Sequence, residues 1–356
     1  MKSLVFIMSY TIYPLRGGLH DQVYLLSREL RRRCVKVSIS YYAHGVLDKN
    51  TKFRPPLILS GINPKLYSRL DDYEQIVMET AWPGLASFPI RLMNKEFTLH
   101  LHSIESLREF GLSWSRRYAI TPVERLAGRL CKKILSVSLK EYVILRKIFG
   151  NKIRYVPLAV DLSECEGYKE KKEELREKYG LPKDEFIITF VGGMSYEPNR
   201  EAAKVIATRI SGEVYEKLKN KVLFMLVGPD PPKNIPNTRY LKVTGYVKSI
   251  APYVAMSDLC IAPIYKGGGV KLKILNYMAL EKPVIASRKA VEGMQIKPWI
   301  HYIPAETPDE FVQVIIGTAE NTEYFNKTIA KSGYDYVREN HSLERVTDRF
   351  IEALEK

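Results

Sequence analysis

A glycine-rich turn followed by two lysines is the first place where residue types and spacing could do chemistry. Residues 267–287 read GGGVKLKILNYMALEKPVIAS, with Lys271 and Lys273 just after three glycines. We predict a strand ending at Pro263 and a helix over Val270–Leu280, so the turn joins a strand's carboxyl end to a helix's amino end. Free backbone N–H groups and the helix dipole favour an anion there. The stretch predicts a phosphate site, and it lacks the Gly-Lys-Ser/Thr ending of an ATPase loop.

Two further glycine turns have the same setting. FVGGMSYEPNREAA follows an apolar strand and precedes a helix, and so does YPLRGGLHDQVYLLSREL near the amino end. We predict that the first contributes to the same phosphate site and that the second closes over the ligand from another domain. The residues assigned to these two turns are Gly17, Gly18, Gly192, Gly193, Met194 and Asn199.

The elements that must position these turns alternate along the whole chain. Short apolar runs predict strands, and amphipathic segments such as 20–33 predict helices between them. Strands alternating with helices are typical of parallel sheets covered on both faces, which bind ligands at the carboxyl ends of their strands. The predicted strands are Leu4–Met8, Val35–Tyr41, Ile76–Met78, Thr98–His102, Ile134–Val137, Ile187–Val191, Val222–Val227, Leu259–Ala262 and Pro283–Ser287.

The chain divides into two predicted domains. The polar, charged stretch after VPLAVDL places the boundary near residue 162. We predict an α/β fold of two doubly wound, Rossmann-like domains, 1–162 and 163–337, facing across a cleft. A terminal amphipathic helix within 338–356, with Leu343, Val346, Phe350 and Leu354 on one face, packs back on the first domain in this interpretation.

Composition limits the class of protein. The 356 residues are 46% hydrophobic and 27% charged, as in a globular chain with a full core in each half. The four cysteines form no CxxC pair, which favours reduced thiols over a zinc site. The apolar start MKSLVFIMSY is too short and interrupted to span a bilayer, so we expect a cytoplasmic protein.

The net charge of +15 is uneven. Residues 1–160 hold 26 Lys and Arg against 12 Asp and Glu, and the remainder holds 29 against 28. The excess predicts an anionic partner of the first half, such as a bilayer surface, a phosphorylated substrate or nucleic acid, although solvated helix faces alone would also account for it. The clusters RELRRRCVK and WSRRYA favour anionic lipid headgroups. Nucleic acid is disfavoured, because no aromatic residues interleave with the arginines.

Several motifs in order and spacing resemble one enzyme family. FVGGMSYEPNREAA, LVGPDPP, VTGYVKSIAPYVAMSDLCIAPIYKGGGVKLKILNYMALEKPVIAS and AVEGM are similar to the nucleotide-sugar domain of retaining glycosyltransferases with the GT-B fold, the group 1 or family 4-like enzymes. The first half is similar too, through RGGLHDQVYLLSREL, YEQIVMETAWP, LHLHSIESLREFG, ILSVSLKEYVIL and IRYVPLAVDL. The resemblance spans roughly residues 3–354.

The resemblance implies a nucleoside-diphosphate sugar on the second domain and a glycan or lipid-linked acceptor on the first, with no metal and no cofactor. Lys271 and Lys273 then stabilise the leaving diphosphate, which is the main electrostatic route to such a transition state. His102 contacts the transferred sugar, donating to a hydroxyl. On the donor side it also implies Val247, Gly268, Gly269, Val270, Asn276 and Glu292, although a helix-capping role also fits Glu292. On the acceptor side, Glu105 either contacts the acceptor or pairs with Arg108 one turn on. The basic charge of the first half assigns Arg116 and Arg117 to the acceptor side as well.

The sequence departs from the family pattern at three points. Many members have two glutamates eight positions apart, where this chain has Gly268 and Asn276; the amide of Asn276 is a neutral, weaker acceptor for ribose hydroxyls. The Arg and Lys often found after the earlier strand are missing. In the first half, we take His100 to point to the face opposite His102 and to be structural.

The sequence is also compatible with two other functions. A GT-B sugar-nucleotide epimerase would release product without an acceptor. A nucleotide-sugar-binding protein that has lost catalysis is suggested by Gly268 and Asn276, and binding without turnover would identify it.

Overall fold

The computed structural model describes residues 1–8, 18–41, 69–79, 87–104, 114–219 and 221–356. The chain divides into two compact units. The first comprises Met1–Ala159, Gly268–Val270 and Leu343–Lys356, and the second comprises Val160–Gly267 and Lys271–Ser342. The division therefore falls three residues before the boundary expected from the sequence.

Each unit is built on one parallel, six-stranded sheet. The strands are β1 Ser3–Met8, β2 Lys36–Tyr41, β3 Gln75–Glu79, β4 Thr98–Leu101, β5 Lys133–Ser136, β6 Ile153–Tyr155, β7 Phe186–Val191, β8 Val222–Val227, β9 Leu241–Gly245, β10 Leu259–Ala262, β11 Val284–Ala286 and β12 Ile303–Pro304. The strand order is β2-β1-β3-β4-β5-β6 in the first unit and β12-β11-β10-β7-β8-β9 in the second.

Helices flank both sheets. The α-helices of the described residues are α1 Gly18–Arg32, α2 Ser87–Leu92, α3 Trp114–Leu130, α4 Leu139–Phe149, α5 Leu162–Lys169, α6 Lys172–Lys178, α7 Glu197–Val205, α8 Ser211–Lys217, α9 Ala251–Ala255, α10 Leu272–Ala279, α11 Pro308–Glu320, α12 Thr322–Phe325, α13 Lys331–Asn340 and α14 Leu343–Glu355. Each of the nine predicted strands overlaps an observed one, and the doubly wound fold class is confirmed.

The central strands are apolar on both faces, as parallel strands between helix layers must be. All six residues of β1 and all six of β8 are buried. The three strands that the sequence did not predict are β6, β9 and β12, which lie at the sheet edges. Edge strands are short or partly exposed and therefore lack the continuous apolar run on which the prediction depended.

The last helix, α14, belongs to the first unit. Its apolar face of Leu343, Val346, Phe350 and Leu354 is buried in the cluster formed with β1 and α1. The ring of Phe350 stacks on Phe6 with centroids 5.9 Å apart. The helix observed at 331–340 is separate and belongs to the second unit, so the terminal amphipathic helix begins later than residue 338.

Part of the arginine cluster read as a lipid-binding surface is tied into the fold. Arg31 donates to the carbonyl of Val37, and Arg33 pairs with Glu29 and with Asp348 of α14. These guanidinium groups hold α1 against its neighbours within the first unit. Arg32, whose side chain is 76% accessible, is exposed, and so are Arg28 and Arg31.

None of the described helices combines the length and the apolar character that crossing a bilayer requires.

Candidate functional site

The triple-glycine turn lies where the sequence placed it, between β10 and α10. Gly267 has φ +102° and Gly269 has φ +68°, a region that side chains other than glycine rarely adopt. A Cβ on Gly267 would come within 2.7 Å of the Tyr196 hydroxyl. The helix begins at Leu272, two residues later than predicted, so Val270 belongs to the turn.

Lys271 and Lys273 lie at the amino end of α10, as its N-cap and its second residue. The first turn of this helix contains no acidic residue. Cations are disfavoured at this end, where the helix dipole is positive and where Asp and Glu are normally found. Lys271 is moreover buried. Two lysines in this position oppose local stability.

The ammonium group of Lys273 is held in a defined place. Its Nζ donates to Oδ1 of Asn199 at 2.7 Å and lies 4.2 Å from the centre of the Phe190 ring. Burial, and then the nearby charge of Lys271, lower the pKa of Lys273 to about 7. Within the described part of the chain no carboxylate offsets these two effects. A bound diphosphate would supply the missing negative charge.

The glycine pair after β7 belongs to the same cluster. Nδ2 of Asn199 donates to the carbonyl of Gly193 at 2.9 Å, so one amide side chain links this turn to Lys273. A Cβ at Gly192 would lie 2.8 Å from Nζ of Lys273. The second glycine turn is therefore needed for the lysine to approach the backbone, and the structure brings Gly192, Gly193, Asn199 and Lys273 together.

Other residues assigned to the donor side have different surroundings. Met194 is buried, and its backbone N–H already donates to the carbonyl of Pro229, so it offers no free group to a ligand. Asn276 is half-buried, on the same helix face as Lys273. Val247 is half-buried in the loop after β9. The carboxylate of Glu292 forms an ion pair of 3.0 Å with Lys289, three residues earlier.

In the first unit, His102 follows β4 directly and contacts a glutamate that the sequence analysis did not single out. Nε2 of His102 lies 2.9 Å from Oε2 of Glu79, and Nδ1 of His100 lies 3.0 Å from Oε1 of the same carboxylate. The prediction that His100 faces away from His102 is wrong. Residues two apart on an extended chain share a face, and the two rings lie 4.7 Å apart.

Glu79 is fully buried at the end of β3. Burial would raise the pKa of Glu79, but the positive potential and hydrogen bonds of His100, and then of His102, lower it to about 2. The carboxylate is therefore ionised and accepts from both imidazoles. Burial also lowers the pKa of His102, and the hydrogen bond to Glu79 does not compensate.

Glu79, His100 and His102 are the one group of three potential metal ligands among the described residues, with ligand atoms within 4.8 Å of one another. Both carboxylate oxygens are engaged by imidazole nitrogens at hydrogen-bonding distance. These distances are those of a hydrogen-bonded cluster.

The pairing of β3 with β4 is a feature from which the contact between Glu79 and the histidines could have been predicted. In the parallel register of β3 and β4, Glu79 lies opposite His100. A glutamate ending one apolar strand and a histidine ending the next meet at the same sheet edge.

Several predicted site residues fall outside what the structure describes. Gly17 and Glu105 lie outside the described residues. Gly18 begins α1. Arg116 and Arg117 lie in α3, whose backbone is described there while their side chains are not.

Comparison with known proteins bears on this arrangement. Residues 185–321 match the family model described as Glycosyl transferases group 1. This range contains the glycine turns at 192–193 and 267–269, the lysine pair and Glu292. Over this range the chain is similar to the group 1 glycosyltransferases.

A curated relative matches over 156 residues at 29% identity. It is a Bacillus subtilis protein named as a teichuronic acid biosynthesis glycosyltransferase, TuaC. The match covers 43% of this chain and 38% of that protein, so it spans less than two thirds of the relative's length.

Solved structures match over nearly the whole chain. Sucrose-phosphate synthase from Thermosynechococcus elongatus has a TM-score of 0.78 at 17% identity, covering 99% of this chain and 98% of that one. The Anabaena protein Alr3699/HepE, solved in complex with UDP, has a TM-score of 0.74 at 15% identity, with both chains covered fully. At these identities the likeness shows the fold, and the GT-B architecture predicted from the sequence is confirmed.

Proposed function

We propose that this protein is a retaining, metal-independent glycosyltransferase. It transfers a hexose from a nucleoside-diphosphate sugar to a glycan or lipid-linked acceptor. The observation that carries the proposal is the lysine pair at the amino end of α10, with Lys271 buried and Lys273 half-buried beside Gly192, and without an acidic residue in the first helical turn. The family match over 185–321 and the UDP complex of a protein with the same fold support it.

The diphosphate is the group that this cluster fits best. In the apo-protein, the charge of Lys271 and the low polarity around Lys273 both disfavour protonation of Lys273. A diphosphate reverses this balance, because each ammonium then gains an anionic partner. As the bond to the sugar breaks, negative charge grows on the leaving phosphate, and a preorganised lysine pair stabilises that charge most at the transition state.

Retention requires that the acceptor hydroxyl attack from the face that the diphosphate leaves. In this proposal the departing phosphate takes the proton of the incoming hydroxyl, and no side chain acts as a nucleophile. His102 orients the sugar, and its contribution is positional. NMR of the product's anomeric centre checks the stereochemistry: a donor and product of the same configuration are expected, and inversion would overturn this part of the proposal.

For the acceptor, we propose a lipid-linked glycan presented at an anionic surface. The excess charge of residues 1–160 supports this, as does the relative named for teichuronic acid biosynthesis. On α2, the apolar side chains of Phe88 and Leu92 are exposed beside Arg91. Co-sedimentation with liposomes at low salt tests it: preference for anionic over neutral lipid is expected, and equal binding to both contradicts it.

Ligand binding tests the donor site first. UDP, GDP, ADP and dTDP are screened by thermal shift, since a ligand of the native state raises the melting temperature. One diphosphate is expected to raise it clearly. The variant with both Lys271→Ala and Lys273→Ala should lose this shift and turn over at least ~100-fold more slowly.

The matched control is Lys204→Ala, which removes an exposed lysine from α7 in the same unit. It should keep both the thermal shift and the turnover. If the double variant bound the diphosphate as well as the control does, the lysine pair would not be the donor site.

A further inference from the structure

The first unit fixes the hydrogen-bonding role of His102, an inference that rests on the proposed function and deepens it. We propose that Glu79 is a positioning residue that sets the tautomer of His102, so that His102 accepts a hydrogen bond from a sugar hydroxyl through Nδ1 and does not donate one. This reverses the donating role expected from the family resemblance.

The geometry of the carboxylate leaves it little freedom. Glu79 ends β3 with its side chain completely buried, and each of its two oxygens is engaged by a different imidazole. The parallel register of β3 and β4 places Glu79 beside His100 and brings His102 to the same end of the sheet. A carboxylate held from two sides cannot rotate to release one histidine without losing the other.

The proton on His102 follows from which nitrogen the carboxylate touches. An ionised carboxylate only accepts hydrogen bonds, so Nε2 of His102, at 2.9 Å, must carry the hydrogen. Because burial lowers the pKa of His102, its imidazole is neutral near pH 7 and carries one proton. Nδ1 is then unprotonated, and an unprotonated ring nitrogen can only accept.

The two histidines present different ring nitrogens to one carboxylate. His100 uses Nδ1 where His102 uses Nε2. The ring of His100 is 2% exposed and packs against Phe350, 5.6 Å between centroids. The ring of His102 is 12% exposed. His100 thus holds Glu79, and His102 is the member of the cluster that a ligand can reach.

The first test reads the tautomer directly. The full chain is labelled with ¹⁵N-histidine, and the His102 signals are assigned by their loss in His102→Gln. In the wild-type protein at pH 7.5, proton-coupled spectra should show a protonated Nε2 and a bare Nδ1 for this residue. A protonated Nδ1 would overturn the proposal, and this measurement needs no activity.

The second test uses Glu79→Gln, whose amide can donate to Nε2 of His102 and so reverse the tautomer. We expect kcat for the donor sugar to fall about 10- to 100-fold, the effect of misplacing one orienting group. KM for the donor and the affinity for the free diphosphate should change by less than about threefold, because no contact to the diphosphate is altered. Glu79→Asp, which keeps the charge, should recover part of kcat.

The matched control is Glu74→Gln, the same chemical change just before β3. Glu74 accepts from the backbone N–H of Lys2 at the surface, remote from the imidazoles in the hydrogen-bond network. It should leave kcat and the His102 tautomer unchanged. If Glu79→Gln also kept kcat within twofold, Glu79 would be structural only; if it did not fold, the wild-type spectrum would decide.

Sugar analogues separate this inference from the proposed function. With UDP-glucose as the donor, a deoxy and a deoxyfluoro analogue are compared at each ring position. Fluorine can accept weakly but cannot donate, so at the position facing Nδ1 both analogues should lose activity equally. Retention by the fluoro analogue alone would mean that His102 donates. Failure of every diphosphate to bind would instead contradict the donor site itself.

Discussion

Each unit contains a cluster of titratable side chains that are at least partly removed from water. The two clusters differ in how the charges within them are paired. In the second unit, Lys271 and Lys273 are brought together without an acidic partner for Lys273 among the described residues. In the first unit, the carboxylate of Glu79 is satisfied by His100 and His102. No carboxylate among the described residues offsets the charge of Lys273, whereas both oxygens of Glu79 are engaged, although Nε2 of His100 is buried without a hydrogen-bond partner in the described part of the chain.

We infer that the two clusters have different roles: the lysine cluster binds a ligand, and the histidine cluster positions one. A site that lowers the pKa of Lys273 to about 7 gains free energy when an anion arrives, because the anion restores the favoured charge of the lysine. A carboxylate whose two oxygens are already engaged by imidazoles gains nothing comparable from a ligand. Its value is that the groups are held in fixed orientations before the substrate binds.

The largest expected effect comes from removing the apolar cover of the histidine cluster. Phe350→Ala empties a fully buried site next to Phe6 and His100, and should lower the free energy of unfolding of the first unit by about 3–5 kcal/mol. Denaturant unfolding followed by circular dichroism measures this. The exposed Tyr324→Ala is the control, and an equal loss in both variants would deny Phe350 this role.

For the lysine cluster we expect a change of the opposite sign, an increase in the free energy of unfolding. Lys273→Met removes a charge that is buried without a carboxylate, and should raise the free energy of unfolding at pH 7 by ~1–3 kcal/mol while abolishing diphosphate binding. Between the folded pKa of about 7 and the unfolded value of 10.5, the unfolded wild-type chain binds more protons. Wild-type stability should therefore gain from Lys273 as pH rises through this window, and the variant should lack that gain.

Acid should break the histidine cluster. The folded pKa of Glu79, about 2, lies below its ordinary value of 4.5, so its stabilising contribution is present above pH 4.5 and is lost as pH falls towards 2. The lowered pKa of His102 acts in the same direction, below pH 6.5. In urea titrations, Glu79→Gln should cost ~1–3 kcal/mol at pH 7 and show a weaker acid dependence. A slope identical to that of the wild type would contradict the assignment.

The smallest effect is expected at Glu292. Its partner Lys289 is partly exposed, and such pairs contribute little. Lys289→Ala should change the free energy of unfolding by less than about 0.5 kcal/mol. If this change reduced turnover strongly with stability intact, Glu292 would have a role at the donor that the ion pair alone does not suggest.

The sequence predicted the fold and the lysine cluster well because both depend on local patterns. The apolar run of Val222–Val227 and the glycines before Lys271 are readable within a dozen residues. The histidine cluster was predicted poorly, since Glu79 and His102 are 23 residues apart and meet only through strand pairing. His100 was misplaced by an error in strand alternation, which the same pairing corrects.

The hydrogen bond between Lys273 and Asn199 could be predicted from the sequence only in part. Each residue was assigned to the phosphate site from its own turn, but their 2.7 Å contact depends on the neighbouring positions of β7 and β10 in the sheet. A side-chain contact across 74 residues is not encoded in either motif alone. The sequence motifs therefore indicated which residues belong to the cluster. The strand order of the sheet determines which of them are in contact.

The last helix of the chain, α14, belongs to the first unit, so this unit is complete only at the end of synthesis. During translation, β1 (Ser3–Met8), which α14 (Leu343–Glu355) covers, leaves the ribosome long before that helix does. Until then, Phe6 and its apolar neighbours lack the helix that buries them, which is the kind of surface that chaperones bind on nascent chains. The second unit, in contrast, ends at Ser342 and does not include α14, so it can mature first.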